Sequence, residues 1–295
     1  MAASPEQLSK EERLSAQLEA IILDRIEKDR LELPSMPAVA AKCMELLRKP
    51  DFSLQRAAGL IEADPILAAQ LIRLSNSAAY ASREPSRNIQ TAVSKLGSQR
   101  LRIALVEAST RPLFESKDAN IQKATRGLWE HSLAVGLLAR DVAVLVGGCD
   151  AEEAYLAGLL HDIGKPVLAT MMLEAENMMA MRSVKGWIDQ AVFVAVLQRS
   201  HRKVAVPLAR RWAMPEPVAK AIETCADFDA ASRSSVANIV CFGNALAKQQ
   251  GLFVGPSNPE DDKALVMIGR SLLGVDDDAI NRLLAGLKDR VRSAS

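Results

Sequence analysis

The chain contains three histidines, and one of them, His161, stands directly before Asp162 in the segment AGLLHDIGKPVLAT. Adjacent histidine and aspartate side chains can bind one metal ion, which would activate a water and orient a phosphate, while Lys165 neutralised the phosphate charge. His131 and His201 each lie within a predicted helix, and helices packed side by side can bring imidazoles together. The simpler interpretation is that each histidine is a hydrogen-bonded, partly buried side chain. The pattern therefore leaves open a metal-dependent hydrolase centre, a structural remnant of one, and ordinary core histidines.

The composition is that of a globular chain of 295 residues, 49% of them apolar, with a net charge of +1. This balance argues against disorder and names no charged partner for the whole chain. The apolar run LAVGLLARDVAVLVGG is interrupted by Arg140 and Asp141, so no membrane span is expected. The N-terminus is polar and unlike a signal peptide, which favours a cytoplasmic location. The four cysteines form no CxxC pair, which argues against a zinc knuckle or a redox pair.

The elements that must position the histidines are predicted to be helices almost throughout. Apolar residues recur at helical spacing, and no run of alternating strand segments appears, so we expect an all-α protein. Side chains that can accept the first free backbone N–H groups predict the helix starts: Ser4, Ser53, Asp64 and Asn88. A break is expected at Gly97. The segment AEEAYLAGLLHDIGKPVLATMM is predicted to be one helical unit, and two helices are predicted at the C-terminus.

Changes in composition along the chain predict four parts. The segment PLFESKDANIQ suggests an internal lobe boundary, and FVGPSNPEDD separates a C-terminal appendage. The predicted parts are an N-terminal helix (1–30), an N-terminal helical lobe (31–112), a second helical lobe that holds all three histidines (113–250) and C-terminal helices (251–295).

A basic segment lies between residues 66 and 105, with six arginines or lysines against one acid, Glu84. The helices on either side of Gly97 have the outline of a helix-turn-helix, and arginines of such a unit would contact DNA phosphates. A solvated basic face, or arginines paired with acids elsewhere in the fold, accounts for the same residues. The segment could therefore be a binding face, and the simpler interpretation is preferred.

Several spaced motifs together resemble a known family. His131, followed by His161 and Asp162 on successive helices, resembles the start of the pattern of HD-domain metal-dependent phosphohydrolases. Upstream, LPSMPAVAAKCMELL, DPILAAQLIRLSNSAAY and IQTAVSKLGSQRLR resemble the extended version called HDOD. The resemblance implies an N-terminal helical bundle packed on an HD-like helical lobe. It also implies bacterial signalling or regulation, in a family whose enzymatic activity is generally not established.

The chain departs from the HD pattern where the metal site should be completed. HD hydrolases use an aspartate on a later helix, and the matching segment VANIVCFGNALA has Asn244, whose amide is a weaker ligand than a carboxylate. Cys225 and Ala226 stand where two-metal relatives carry a pair of histidines, although His201 resembles an additional histidine of those relatives. The candidate ligands of a weakened metal site are therefore, by the resemblance, His131, His161 and Asp162, with Asn244 in place of the expected aspartate.

The sequence thus predicts a non-catalytic bacterial regulatory protein that acts by binding a signalling protein or a small anionic ligand. No cofactor is expected, and a divalent metal would bind only at low occupancy. Neither nucleic acid nor a membrane is expected as a partner. Two alternatives remain open. The first is an HD-type metal-dependent phosphohydrolase that uses His131, His161, Asp162 and Lys165, and the second is a DNA-binding regulator that uses the basic helices.

Overall fold

A computed structural model describes residues 33–77, 84–116, 125–180 and 190–294, together with the isolated positions 20, 21, 24, 28 and 122. Within these residues the chain forms helices and no strand, so the all-α prediction is confirmed. The helix predicted over residues 4–30 lies outside the described ranges. No helix formed by the described residues is both long and apolar enough to cross a membrane.

The helices are numbered in chain order: α1 (Ala38–Leu46), α2 (Leu54–Glu62), α3 (Pro65–Ser75), α4 (Ile89–Thr110), α5 (Leu128–Val146), α6 (Ala151–Leu160), α7 (Gly164–Ala180), α8 (Gln190–Arg211), α9 (Glu216–Thr224), α10 (Val236–Gln249), α11 (Pro259–Leu273), α12 (Asp277–Leu284) and α13 (Leu287–Ala294). Two 3-10 turns, Arg111–Phe114 and Ala230–Ser232, lie between them.

The predicted starts of α2, α3 and α4 are confirmed by the hydrogen bonds at their first residues. Ser53, Asp64 and Asn88 each accept a backbone N–H of the first turn through a side-chain oxygen, which satisfies a donor that has no partner within the helix. The predicted break at Gly97 is also present, because Gly97 has φ 67° and ψ 179° inside α4. A positive φ suits glycine, so α4 changes direction there without strain.

The N-terminal helical bundle consists of α1 to α4, and it packs on an HD-like lobe centred on α5, α6 and α10. The second half of α4 contacts α6, and the 3-10 turn Arg111–Phe114 contacts α5 and α7. Buried leucines from both parts, among them Leu101, Leu105, Leu137 and Leu159, belong to one continuous apolar core. Burial of this area is the main term that holds the bundle on the lobe.

Two hydrogen bonds fix the end of α8 to the beginning of the bundle. The indole Nε1 of Trp212 donates to the carbonyl oxygen of Pro34 at 3.0 Å, and Nη2 of Arg48 donates to the carbonyl oxygen of Ala213 at 2.5 Å. Ala213 has φ 52°, an unusual value for a residue with a side chain, so the chain leaves the helix abruptly at this point. The two bonds span 165 residues or more of sequence.

Two of the predicted helical segments differ from the structure. The segment predicted as one unit around His161 is two helices, α6 and α7, separated by the turn of residues 161–163, in which Ile163 N donates to Leu160 O. The C-terminal region contains three helices, α11 to α13, where two were predicted. Gly286, with φ 67°, lies between α12 and α13, and a left-handed glycine is a common way to end a helix.

Candidate functional site

The candidate site lies where α5, the turn after α6, the start of α7 and the middle of α8 meet. His131 lies in the first turn of α5, His161 follows the last residue of α6, Asp162 lies in the turn, Lys165 is the second residue of α7, and His201 lies on α8. All five side chains are buried, with between 1% and 5% of each residue exposed. The structure therefore brings together every site residue that the sequence suggested on α5 to α8.

Glycines allow these elements to approach closely enough for the side chains to meet. A Cβ atom on Gly158 of α6 would lie 2.8 Å from the Cα of Gly136 on α5, so the two backbones are in direct contact. A Cβ atom on Gly164, the first residue of α7, would overlap the carbonyl oxygen of His201 on α8. Any larger residue at either glycine would force these helices apart.

The three histidines share one hydrogen-bonding arrangement. Each Nδ1 lies close to a backbone carbonyl oxygen: His131 at 2.7 Å from that of Leu252, His161 at 2.6 Å from that of Gly158, and His201 at 2.9 Å from that of Leu197. Because a carbonyl oxygen can only accept, each Nδ1 carries a proton, and in a neutral imidazole the lone pair is then on Nε2. The three Nε2 atoms are buried and have no hydrogen-bond partner.

The Asp162 carboxylate is at the centre of this arrangement. Its Oδ2 lies 3.6 Å from Nε2 of His131 and 3.5 Å from Nε2 of His161, while its Oδ1 lies 3.3 Å from Nε2 of His201. The Nζ of Lys165 donates to Oδ2 at 2.5 Å, which is the one charge-assisted contact at this carboxylate among the described residues. The cluster is thus built around a buried carboxylate and ammonium pair.

Burial and charge set the protonation states of the cluster. Burial lowers the pKa of His161 to about 3, lowers that of His201 to about 4, and lowers that of His131 as well, so the imidazoles are neutral near pH 7. Burial alone would raise the pKa of Asp162, but the groups that face it, His161 and Lys165 foremost, hold its pKa well below the usual value. The cluster therefore holds one negative and one positive charge.

The residues present fit a divalent metal ion. His131, His161 and Asp162 each offer a ligand atom, and these atoms lie within 4.8 Å of one another. Nitrogen and carboxylate oxygen donors suit zinc, iron and manganese. Three lone pairs that converge without a donor suit a cation, and histidines that bind metal commonly donate Nδ1–H to a backbone carbonyl, as all three do here.

Neither residue at the positions expected to complete the metal site, Asn244 and Cys225, is a carboxylate or a histidine. Asn244 lies on α10, which packs against α5, and its side-chain Oδ1 is buried without a hydrogen-bond partner. Cys225 is buried, and burial raises the pKa of its thiol, so it stays protonated and is a poor ligand. That Asn244 replaces a metal-binding aspartate stays a prediction.

Sequence reasoning missed two neighbours of His131. The carbonyl oxygen of Leu252 accepts from its Nδ1, and the ring of Phe253 lies edge-on to the imidazole, 5.6 Å from it between ring centroids. Phe253 is the first residue of the segment FVGPSNPEDD, which was predicted to separate a C-terminal appendage, and Leu252 directly precedes it. No sequence signal marks such a carbonyl, because every residue has one, and only the packing of the loop after α10 shows its role.

Comparison with known proteins agrees with the fold. The family model named HDOD domain matches residues 33–228. The chain belongs to the HDOD family. A curated relative of this HDOD protein, an uncharacterized protein of Treponema pallidum, is 26% identical over 213 residues. That match spans 70% of this chain and only 39% of the relative, so the chain corresponds to well under half of the relative's length.

Solved structures resemble this HDOD protein over nearly its whole length. A candidate metal-dependent phosphohydrolase of Shewanella amazonensis has a TM-score of 0.78 at 20% identity, covering 96% of this chain and 99% of its own. An HDOD domain protein of unknown function from Geobacter sulfurreducens has a TM-score of 0.63 at 22% identity, and the match covers 97% of each chain. A candidate signal transduction protein of Marinobacter aquaeolei has a TM-score of 0.62 at 23% identity, and the match covers 98% of this chain and 65% of its own. At these identities the likeness establishes the fold alone.

Proposed function

We propose that this HDOD protein is a signal-transduction regulator that acts by binding a signalling protein or a small anionic ligand, without turnover of a substrate. The observation that carries the proposal is the state of the Asp162 carboxylate. It is bound by the Lys165 ammonium at 2.5 Å, in a cluster whose residues are at most 5% exposed. A hydrolase needs a metal-bound water and a phosphate-binding lysine that can both reach a substrate. Here the Lys165 ammonium faces the buried Asp162 carboxylate instead.

The cluster has a structural role in this proposal. Its five side chains come from four successive elements, and a buried ion pair with hydrogen-bonded imidazoles favours one arrangement of those elements over others. A divalent ion, when bound, would be held by His131, His161 and Asp162 and would supply Lewis-acid polarisation of a bound oxygen. We expect low occupancy, because Lys165 already neutralises the carboxylate and Asn244 adds no second one.

The comparisons support a signalling role at the level of the family. The family model covers two thirds of the chain, and a structural relative is described as a candidate signal transduction protein. The partner or ligand is part of the proposal. A binding protein needs a surface or cavity apart from the buried cluster, and the junction between the bundle and the HD-like lobe offers one.

A second function, the metal-dependent phosphohydrolase, is favoured by a specific observation. The Nε2 lone pairs of His131 and His161 converge with the Asp162 carboxylate, which is a donor set that a metal would satisfy. Elemental analysis of the purified protein, followed by assays on cyclic dinucleotides, nucleoside triphosphates and a generic phosphodiester with added manganese or magnesium, separates the two functions. We expect substoichiometric metal and no turnover.

The same assays include variants that make the result decisive. Turnover by the wild type that disappears in both His161→Ala and Asp162→Ala would replace the regulator with the hydrolase. Stoichiometric metal without turnover would leave the regulator in place and make the ion structural. Asn244→Asp should raise metal occupancy, since it adds a carboxylate beside the imidazoles; an unchanged metal content would show that Asn244 does not lie at the ligand position.

DNA binding, the other alternative, is less favoured by the surroundings of the basic residues. Arg102 donates through Nη2 to the carbonyl oxygen of Leu47, and Arg100 lies close enough to Glu152 to attract its carboxylate. Arg83 lies outside the described residues. Arginines that are used inside the fold are less free to bind phosphates. Tight, salt-dependent binding to duplex DNA would revive this alternative.

A further inference from the structure

A second polar site lies at the junction between the N-terminal bundle and the HD-like lobe. A cavity of about 210 Å³ opens between α3, the end of α4, the 3-10 turn Arg111–Phe114, the first turn of α5 and the end of α13. We call it the junction cavity, and the residues used below are Gln70, Arg73, Ser77, Glu107, Arg111 and Trp129. None of them belongs to the His131 and Asp162 cluster.

The junction cavity is lined by two arginines from different elements, Arg73 on α3 and Arg111 on the turn. The Arg111 guanidinium lies 6.0 Å from the centroid of the Trp129 ring, and it contacts the largely exposed Glu115 at 3.5 Å. An exposed ion pair of that kind contributes little to stability, so Arg111 is available to a ligand. Two arginine forks that face one small cavity suit a carboxylate or a phosphate.

Buried polar atoms without partners are the second, independent observation. Trp129 is 7% exposed, and its indole Nε1 has no hydrogen-bond partner. The hydroxyl oxygen of Ser77 is also buried without a partner. An unsatisfied buried donor is destabilising, and a ligand oxygen in the cavity would accept from it. Both residues line the cavity, so their unpartnered groups are candidate donors to a ligand oxygen.

Glu107 does not cancel the positive charge of this cavity. The residue is 4% exposed, and burial raises the pKa of its carboxyl to about 7, although the hydroxyl of Tyr155, which donates to Oε2 at 3.2 Å, and the nearby Arg111, Arg140 and Arg73 lower it. Below neutral pH the carboxyl is therefore largely uncharged. The two arginines then leave the cavity with net positive charge.

From this geometry we propose that the junction cavity binds a small organic anion, whose carboxylate or phosphate lies between Arg73 and Arg111 and whose flat apolar part lies against Trp129. A cavity of about 150 Å³ is large enough to hold benzene, so 210 Å³ suits one ring with one oxyanion group. The inference rests on the proposed function, because it names the ligand class of a protein that acts by binding. Occupancy would report on the junction between the two parts of the fold.

The test uses calorimetry on the full chain slightly below neutral pH, with benzoate, phenyl phosphate and the neutral benzamide as probes. We expect saturable binding of one or both anions and none of benzamide, and the tighter anion identifies the preferred group. Arg73→Gln and Arg111→Gln should each weaken binding about tenfold, the loss of one charge-assisted contact. Trp129→Phe keeps a ring but removes the N–H, and it should weaken binding about threefold or more.

Arg87→Gln is the matched control, because Arg87 is exposed, lies on the same basic segment and is not among the residues that line the cavity. It should leave affinity within about twofold, which is well under 1 kcal/mol. Circular dichroism and thermal unfolding check that each variant is folded. Absence of anion binding, equal binding of benzamide, or affinities unchanged in both arginine variants would overturn the inference.

The two proposals fail in different ways in this experiment. Release of phenol and phosphate from phenyl phosphate would contradict the non-catalytic function. Absence of binding, with phenyl phosphate intact, would contradict only the junction cavity as an anion site. The calorimetric samples are therefore also measured for free phosphate.

Discussion

The buried cluster and the junction cavity each contain a carboxyl group that is almost completely shielded from water, yet the two groups behave differently. Asp162 faces the Lys165 ammonium at 2.5 Å, and its pKa lies well below the usual value. Glu107 faces the Tyr155 hydroxyl at 3.2 Å, and burial raises its pKa to about 7. The two carboxyl groups are buried to a similar extent, so the charged partner of Asp162 at contact distance accounts for the difference in pKa.

This difference separates a structural site from a binding site. In the buried cluster the charges compensate each other inside the fold, and a ligand would have to break a pair that is already made. In the junction cavity two arginines and an indole N–H are left without an equivalent partner in the cavity. Uncompensated positive charge in an open cavity attracts an anion, whereas a compensated, buried pair stabilises one arrangement of helices.

The largest effect is expected for Asp162→Ala, which leaves the Lys165 ammonium buried without a partner. We expect the free energy of unfolding to fall by about 3–5 kcal/mol, as for other broken buried pairs. Urea denaturation measures it, and Asp227→Ala, which removes an exposed carboxylate from the same region, should change it by less than about 0.5 kcal/mol. A midpoint that does not move in Asp162→Ala would show that the pair contributes nothing to stability.

Gly164→Ala should have the next largest effect, because the added methyl group overlaps the backbone of His201. We expect a loss of about 3 kcal/mol, at the upper end for overpacking. The control is Gly59→Ala in the exposed face of α2, where an added Cβ meets nothing within 4 Å. There alanine should stabilise the protein by about 0.5–1 kcal/mol, and equal effects at the two glycines would contradict the close contact of α7 with α8.

Glu107 makes stability depend on pH, because its pKa is raised from 4.5 to about 7 on folding. The folded state holds this proton more tightly, so the contribution of Glu107 to stability is fully present below pH 4.5 and is lost as pH rises through 7. Glu107→Gln removes the ionisation and should stabilise the protein by about 1–3 kcal/mol above pH 7 while changing little below pH 4.5. Denaturant titrations of both proteins at the two pH values measure this, and an equal gain at both would exclude ionisation as the cause.

The smallest effect on stability is expected for Arg73→Gln. The side chain is exposed, so the free energy of unfolding should change by less than about 0.5 kcal/mol even though anion binding is weakened. Thermal unfolding with and without benzoate measures both quantities, since a bound ligand raises the melting temperature. A large loss of stability without ligand would place Arg73 with the structural residues and weaken the distinction between the two sites.

Local features of the fold were predictable from residue types, whereas contacts between distant residues were predictable only where a family pattern marked them. The side chains of Ser53, Asp64 and Asn88 act within a few residues of themselves, so their residue types were enough to predict helix starts. The division of α6 from α7 was missed, because an apolar pattern continues across the turn that contains Asp162.

The buried cluster and the junction cavity also differ in how far the sequence predicted them. His131, His161 and Asp162 have spacings that resemble a family pattern, which predicted that they meet. The junction cavity has no such pattern, because Arg73, Glu107 and Trp129 come from three helices and are brought together by the packing of the bundle on the lobe. Contacts of this kind depend on tertiary structure that no local residue type encodes.

The helix α8 has a mechanical consequence for the whole molecule. It carries His201 beside Asp162, and its helical hydrogen bonding continues to Trp212, whose indole is bonded to Pro34. At 1.5 Å per residue, the eleven steps from His201 to Trp212 span about 16 Å. The second half of this helix therefore connects the HD-like lobe, which it contacts at His201, to the bundle, which Trp212 contacts just after the helix ends. A tilt of this helix at His201 would therefore also displace its contact with Pro34 in the bundle.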